Sequence, residues 1–89
     1  MSNIQATIYH KPTCPYCIAA KELLTQKGVA FEAFNVLEMN EGELAELAVR
    51  TKNHRTVPRI FIGEKFIGGY DNLSALNRSG ELDELLKNA

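Results

Sequence analysis

A chain of 89 residues with a formal net charge of −1 and only two cysteines excludes several classes of protein. The length fits one domain, residues 1–89, and two cysteines cannot build the disulfide framework of a small secreted scaffold. The concentrated basic surplus of nucleic-acid binders is missing, as are a basic, apolar leader and a long apolar run. We therefore expect a cytoplasmic protein that binds neither nucleic acid nor a membrane.

The first predicted strand leads directly into the segment that holds both cysteines. Residues 4–9 alternate apolar and polar side chains, as in a half-buried strand. From 15 to 27 apolar residues recur at helical spacing, and Ile18 belongs to the predicted inner face of this helix. Pro15 suits its first turn and Gly28 its stop. The cysteines therefore lie where a strand passes into a helix.

The two thiols are arranged as a reversible redox switch. Cysteines three positions apart, the second inside a helix, can close a small disulfide with little backbone movement. Cys14 is predicted at the helix N-cap, where unpaired backbone N–H groups and the helix dipole favour a thiolate, and Lys11 adds positive charge nearby. We predict that Cys14 attacks a disulfide, and that Cys17, more enclosed and protonated, resolves the product.

The middle of the chain predicts a strand parallel to the first and a second helix. Residues 29–36 are rich in β-branched and aromatic side chains, with Phe34 among the expected core residues, and the preceding helix has crossover length. Asn40 and Glu43 fit a capping box that opens a helix ending at the break at 52–54.

The last third of the chain predicts a hairpin followed by helix. Residues 59–62 and 65–68 flank a Gly-Glu turn, Asp71 is a suitable N-cap for the next helix, and 81–86 supplies a final amphipathic stretch. The order strand, helix, strand, helix, strand, strand, helix predicts an α/β fold, in which helices flank both faces of a four-stranded mixed sheet.

The Thr56-Val57-Pro58 segment stands directly before the third predicted strand. A cis Pro58 would let the Val57 backbone present its N–H and C=O to an extended, peptide-like ligand, as a sheet edge does. An ordinary trans proline that opens an edge strand is the alternative. The residues of this segment alone leave both open.

Three motifs, taken together, make the chain resemble a known protein family. Cys-Pro-Tyr-Cys at 14–17, Thr-Val-Pro at 56–58 and Gly-Gly-Tyr-Asp-Asn at 68–72 make the sequence similar to dithiol glutaredoxins, most of all the short bacterial type. The resemblance spans essentially the whole chain. It implies a thioredoxin fold, a cis Pro58, and glutathione as co-substrate without a tightly bound cofactor. Tyr70 stands where short bacterial relatives can carry a third cysteine.

The resemblance also assigns roles to individual residues. Cys14 matches the family's nucleophile and Cys17 its second cysteine. Glutathione would bind beside Cys14, with the Val57 backbone on its cysteinyl part and Asp71 at its γ-glutamyl end. By charge alone, Lys11, and with it Arg55 or Arg59, suits the glycyl carboxylate at the other end. The implied glutathione-binding residues are Lys11, Tyr16, Thr56, Val57, Pro58, Asp71 and Asn72.

The implied reaction is the reduction of glutathione mixed disulfides and of disulfides in client proteins, by a monomer. Cys14 takes up glutathione and a second glutathione releases it, whereas a protein disulfide also requires Cys17. A thioredoxin-type reductase is the closest rival, although Gly-Pro between the cysteines and a tryptophan before them are missing. Cluster carriers of the family usually have one cysteine followed by Gly-Phe-Ser, and a zinc site of His10, Cys14, Cys17 and His54 matches no usual ligand spacing. We therefore expect no metal.

Overall fold

The computed structural model describes residues 5–52 and 56–87. Of the break in the helical pattern predicted at 52–54, positions 53 and 54 lie outside the described residues, as does Arg55. Strands and helices alternate through most of the described chain. The elements are β1 (Ala6–His10), α1 (Pro15–Gln26), β2 (Phe31–Asn35), a 3₁₀ turn (Val36–Glu38), α2 (Glu41–Arg50), β3 (Arg59–Ile62), β4 (Lys65–Gly68), α3 (Tyr70–Ser79) and α4 (Glu81–Lys87).

The four strands form one mixed sheet in the order β2-β1-β3-β4. Strands β1 and β2 are parallel, as expected of a strand-helix-strand unit, with Ala6 opposite Phe31. Strands β1 and β3 are antiparallel, with Ile8 opposite Ile60, and β4 returns antiparallel to β3. The predicted four-stranded mixed sheet is therefore confirmed, and β1, which leads to the cysteines, lies inside it.

Helices cover both faces of the sheet, as predicted. On one face Ile8 and Ile60 pack with Leu24 of α1, Leu73 of α3 and Leu82 of α4, all fully buried. On the other face Phe61 packs with Leu47 of α2. The side chains of neighbouring strand residues point to opposite faces, which is why Ile60 and Phe61 belong to different layers.

Local capping explains where α2 begins. The Glu43 backbone N–H donates to Asn40 Oδ1 at 2.8 Å, and the Asn40 N–H donates to Glu43 Oε1 at 2.9 Å. This is the capping box predicted from the spacing of the two residues. The helix is thus fixed at its start by its own sequence.

Two expectations about the core are wrong. Ile18 is 50% exposed, because the inner face of α1 is formed by Cys17, Ala20 and Leu24 instead. Phe34 is 42% exposed although its ring stacks on Tyr9, with 5.5 Å between the ring centroids. Its strand, β2, is at the edge of the sheet, so the ring has neighbours on one side only.

Candidate functional site

Cys14 is held at the start of α1 by the end of β1 and a short turn. Its backbone is extended (φ −89°, ψ 113°), Pro15 follows at the first helical position, and the Cys17 backbone N–H donates to Cys14 Sγ at 3.2 Å. Cys14 is therefore the N-cap residue, as predicted, and its sulfur takes the place of the usual capping oxygen. A backbone donor aimed at the sulfur stabilises negative charge there.

Cys17 lies one turn further along and is only 1% exposed. Burial raises the pKa of its thiol to about 11, and the hydrogen bond with Cys14 contributes in the same direction. Cys17 is therefore a neutral thiol at pH 7, as expected from its enclosed position. Both cysteines are free thiols in this structure.

The Val57–Pro58 peptide bond is cis, so the ordinary trans alternative is wrong. Pro58 is buried, Val57 is half-buried, and the Cys14 thiol donates to the Val57 carbonyl oxygen with 3.8 Å between Sγ and oxygen. The segment before β3 therefore lies directly against Cys14. Sequence positions 43 residues apart meet here because β1 and β3 are neighbours in the sheet.

An open groove extends from this point to the start of α3. Its lining consists of Tyr16, Thr56, Val57, Pro58, Gly69, Tyr70, Asp71 and Asn72. Six of the seven residues implied as glutathione ligands are thus brought together. Lys11 is not part of the lining, although its carbonyl oxygen accepts from the Cys14 N–H at 3.3 Å.

The helix that closes the groove begins two residues earlier than expected. Gly69, and not Asp71, is the N-cap of α3, and its N–H donates to Asn72 Oδ1 at 3.2 Å. Asp71 is exposed in the first turn, where a carboxylate is favoured by the helix dipole. Gly68, with φ +120°, makes the bend from β4 into this turn, and that conformation is accessible to glycine.

Comparison with known proteins supports the likeness carried by the three motifs. The sequence profile described as Glutaredoxin matches residues 6–67, which is more than half of the chain. The chain belongs to the glutaredoxin family. Glutaredoxins are thiol–disulfide oxidoreductases, and the paired thiols of Cys14 and Cys17 are the groups that such chemistry requires.

Individual glutaredoxins match over most of their length. Glutaredoxin 3 of Escherichia coli (strain K12) is 45% identical over 87 residues, covering 98% of this chain and 100% of that protein. The crystal structure of wheat glutaredoxin superposes with a TM-score of 0.84 at 37% identity, covering 96% and 81% of the two chains. A buckwheat glutaredoxin–glutathione complex superposes with a TM-score of 0.83 at 32% identity, covering 94% and 77%. The fold of this glutaredoxin is therefore the thioredoxin fold.

Sequence reasoning missed two residues of the groove in this glutaredoxin. Gly69 and Tyr70 belong to its lining, and the Tyr70 ring stacks on Tyr16 with 6.1 Å between centroids and 29° between planes. Tyr16 is 61% exposed. The available signal is that both residues belong to the Gly-Gly-Tyr-Asp-Asn motif at 68–72, in which the resemblance marks Tyr70 only as the residue in place of a third cysteine.

Among residues 5–52 and 56–87, no three His, Cys, Asp or Glu side chains lie close enough to hold a metal ion. His54, one of the four residues considered for zinc, lies outside these ranges. None of the helices in the same part of the chain is long and apolar enough to cross a membrane.

Proposed function

We propose that this glutaredoxin reduces glutathione mixed disulfides and protein disulfides, with glutathione as its co-substrate. Cys14 is the nucleophile and Cys17 resolves mixed disulfides with client proteins. The observation that carries the proposal is the 3.8 Å contact between Cys14 Sγ and the Val57 carbonyl oxygen. A peptide that pairs with the Val57 backbone places its own cysteinyl sulfur next to Cys14.

Reduction of a glutathione mixed disulfide proceeds through Cys14 alone. The Cys14 thiolate attacks the glutathione sulfur, the client thiolate leaves, and glutathione remains bound to Cys14 by a new disulfide. A second glutathione thiolate then attacks that glutathione sulfur and releases glutathione disulfide and the Cys14 thiolate. One free glutathione is therefore consumed per mixed disulfide, and the glutathione disulfide that is released contains the glutathione that was attached to the client. The Cys17 N–H stabilises Cys14 as the leaving thiolate.

A disulfide within a client protein requires both cysteines. Cys14 attacks one client sulfur, and the other leaves as a thiolate. Cys17 then loses its proton and attacks Cys14, which frees the second client thiol and closes the Cys14–Cys17 disulfide. Two glutathione molecules restore the dithiol. The position of Cys14 at the N-cap of α1, with Cys17 in the first turn of that helix, supports this exchange.

The groove supports binding of glutathione in an extended conformation. Thr56, Val57 and cis Pro58 form its middle, next to Cys14, and Tyr16 forms a wall. The first turn of α3 offers unpaired N–H groups for the γ-glutamyl carboxylate and the Asp71 carboxylate for its ammonium. Asn72 shapes this end through its bond to Gly69.

The opposite end of glutathione carries the glycyl carboxylate. Lys11 precedes Cys14 and is exposed there, which supports a role as the cation for that carboxylate even though it is outside the groove lining. The Arg59 Nε–H donates to the Thr56 carbonyl oxygen at 3.4 Å, so a second cation is anchored near the middle of the groove. A single-domain monomer in the reducing cytoplasm is the form we assign to the protein, with disulfide-containing and glutathionylated proteins as clients.

The electron source tests the proposed function. Turnover of the mixed disulfide of glutathione and 2-mercaptoethanol is measured with glutathione plus glutathione reductase, and separately with thioredoxin reductase. We expect NADPH consumption in the first system only. Turnover with thioredoxin reductase and none with glutathione would overturn the proposal, and would indicate the thioredoxin-type alternative.

Changing Asp71 to Asn tests the γ-glutamyl end of the groove. The substitution removes the negative charge opposite the glutathione ammonium but leaves the shape of the first turn. Because the carboxylate is exposed, we expect KM for the mixed disulfide to rise about two- to fivefold with kcat little changed. Asp83→Asn is the matched control, since Asp83 also stands in the first turn of a helix but outside the groove. Equal KM changes in both variants would contradict the assignment.

A further inference from the structure

A lysine of α1 and the histidine that ends β1 are in contact near the two cysteines. Lys21 follows Cys17 by four positions on α1, so the two side chains lie on the same face of the helix. The Lys21 Nζ is 3.3 Å from Nδ1 of His10, the last residue of β1. Lys21 is half-buried, as is His10. The contact thus joins the helix of the cysteines to the strand that leads to them.

The histidine accepts from the ammonium and must be neutral to do so. Burial, followed by the positive charge of Lys21, lowers the pKa of His10, while a hydrogen bond with the Lys11 backbone and the charge of Glu38 act in the opposite direction. At pH 7 the ring is therefore an uncharged acceptor for the Lys21 N–H. Below that pKa, two cations would face each other and the contact would open.

Several groups around Cys17 influence the ionisation of its thiol, and Lys21 is one of them. Burial and the neighbouring Cys14 oppose ionisation of Cys17, whereas a hydrogen bond from the Lys11 backbone and the charge of Lys21 favour it. Lys21, four positions along the same face of α1, carries a charge that favours the Cys17 thiolate, and burial acts more strongly against it. A buried thiol needs such a charge when it has to become a nucleophile.

We propose that Lys21 and His10 are a positioning pair. His10 holds the Lys21 ammonium in place, and this charge enables Cys17 to form the thiolate needed for resolution. The inference rests on the roles proposed above for the two cysteines. In the step concerned, Cys17 gives its proton to water, and its thiolate attacks Cys14 in the mixed disulfide. The Cys14–client bond breaks, the Cys14–Cys17 bond forms, and the client thiolate takes a proton from water. The ammonium of Lys21 stabilises the Cys17 thiolate and stays protonated throughout.

The first test measures Cys17 directly, in a Cys14→Ser background where it is the sole thiol. The rate of its alkylation by iodoacetamide is followed by mass spectrometry between pH 8 and pH 10. Cys17 is only 1% exposed, so amide hydrogen exchange of α1 is compared in every variant, and at equal exchange the rate reports the thiolate fraction. Lys21→Met should lower this rate about three- to tenfold at each pH, because an attractive charge is lost. His10→Leu should lower it in the same direction, and His10→Asn, which keeps an acceptor, should restore most of the loss.

Lys65→Met is the matched control, since it removes an exposed lysine charge from β4, away from the cysteines. We expect no change in the Cys17 alkylation rate for this variant. An unchanged rate in Lys21→Met, or equal losses in Lys21→Met and Lys65→Met, would overturn the inference. This measurement requires no enzymatic turnover, so its result does not depend on the proposed function.

The second test compares two substrates with both cysteines present. In Lys21→Met and in His10→Leu, the ratio of protein-disulfide turnover to mixed-disulfide turnover should fall about threefold or more, because only the first reaction needs the Cys17 thiolate. A constant ratio would overturn the inference. If Cys17→Ser itself retains protein-disulfide turnover, the role proposed for Cys17 fails instead, and the alkylation result identifies which of the two ideas is wrong.

Discussion

Replacing Cys14 by serine is expected to abolish reduction of both substrates, with a loss of at least about 10³-fold that leaves only the uncatalysed background. A serine hydroxyl remains protonated at neutral pH and forms no disulfide. Cys17→Ser, in contrast, should retain reduction of the glutathione mixed disulfide and lose reduction of a protein disulfide. The measurement is turnover of both substrates with glutathione and glutathione reductase.

The position of Cys14 in the structure indicates that Cys14→Ser leaves the fold intact. Cys14 is the N-cap of α1 and accepts the Cys17 N–H, and serine is among the preferred residues at that position. Cys14→Ser should therefore keep the thermal midpoint of the parent protein, so that lost turnover reflects lost chemistry. Retained turnover in Cys14→Ser, or loss of mixed-disulfide turnover in Cys17→Ser, would contradict the division of labour between the two thiols.

The cysteine end of the site was predictable because its determinants are local. Two thiols three positions apart, with Pro15 between them, specify the helix start, the N-cap sulfur and the enclosed second thiol. The same is true of the capping box at the start of α2. The mixed sheet followed from the order and length of its elements. For the helix starts a few neighbouring residues decide the outcome, and for the sheet the order of the elements does.

The far end of the groove was harder to predict because several residues there can cap a helix. Aspartate is preferred over glycine at the N-cap, yet Gly69 occupies that position. The side chain of Asn72 accepts the hydrogen bond from the Gly69 N–H. What decides is the bend at Gly68, which the sequence marks only as one of two adjacent glycines. Tyr70, whose ring stacks on Tyr16, follows this bend by two positions.

Contacts between elements that are distant in the sequence are the hardest features to predict from it. The bond between Lys21 and His10 joins residues on different elements, and no motif predicts it. Exposure of Phe34 has the same origin, since it depends on β2 being the edge strand and not on the composition of the strand. Such features require the positions of neighbouring elements, which local patterns do not contain.

Changing Gly68 to alanine is expected to damage the groove and the fold together. The new Cβ would lie 2.6 Å from Asn72 Oδ1 and 2.8 Å from its Cγ, and the φ of +120° is one that alanine strongly disfavours. Asn72 would have to move, and its bond to the Gly69 N–H would be lost. We expect the free energy of unfolding to fall by about 2–4 kcal/mol, from backbone strain and the lost bond.

The functional consequence should be selective, because Gly68 positions α3 and not α1. We expect KM for the mixed disulfide to rise several-fold, while iodoacetamide still alkylates Cys14 at the parent rate. Chemical denaturation gives the stability, and steady-state kinetics give KM. A large loss of Cys14 reactivity would contradict the view that the two ends of the groove are set by separate elements.

Gly80→Ala is the matched control for Gly68→Ala. Gly80 also has a positive φ, of +86°, at the end of α3, but a Cβ there would meet no atom within 4 Å. It should cost only about 1 kcal/mol of backbone strain and leave KM unchanged. Adding Asn72→Ala to Gly68→Ala removes the obstructing side chain, so the double variant should lose less stability than the sum of the two single changes. Additive losses would show that the collision with Asn72 is not the cause, and the effect of Gly68→Ala would then be backbone strain alone.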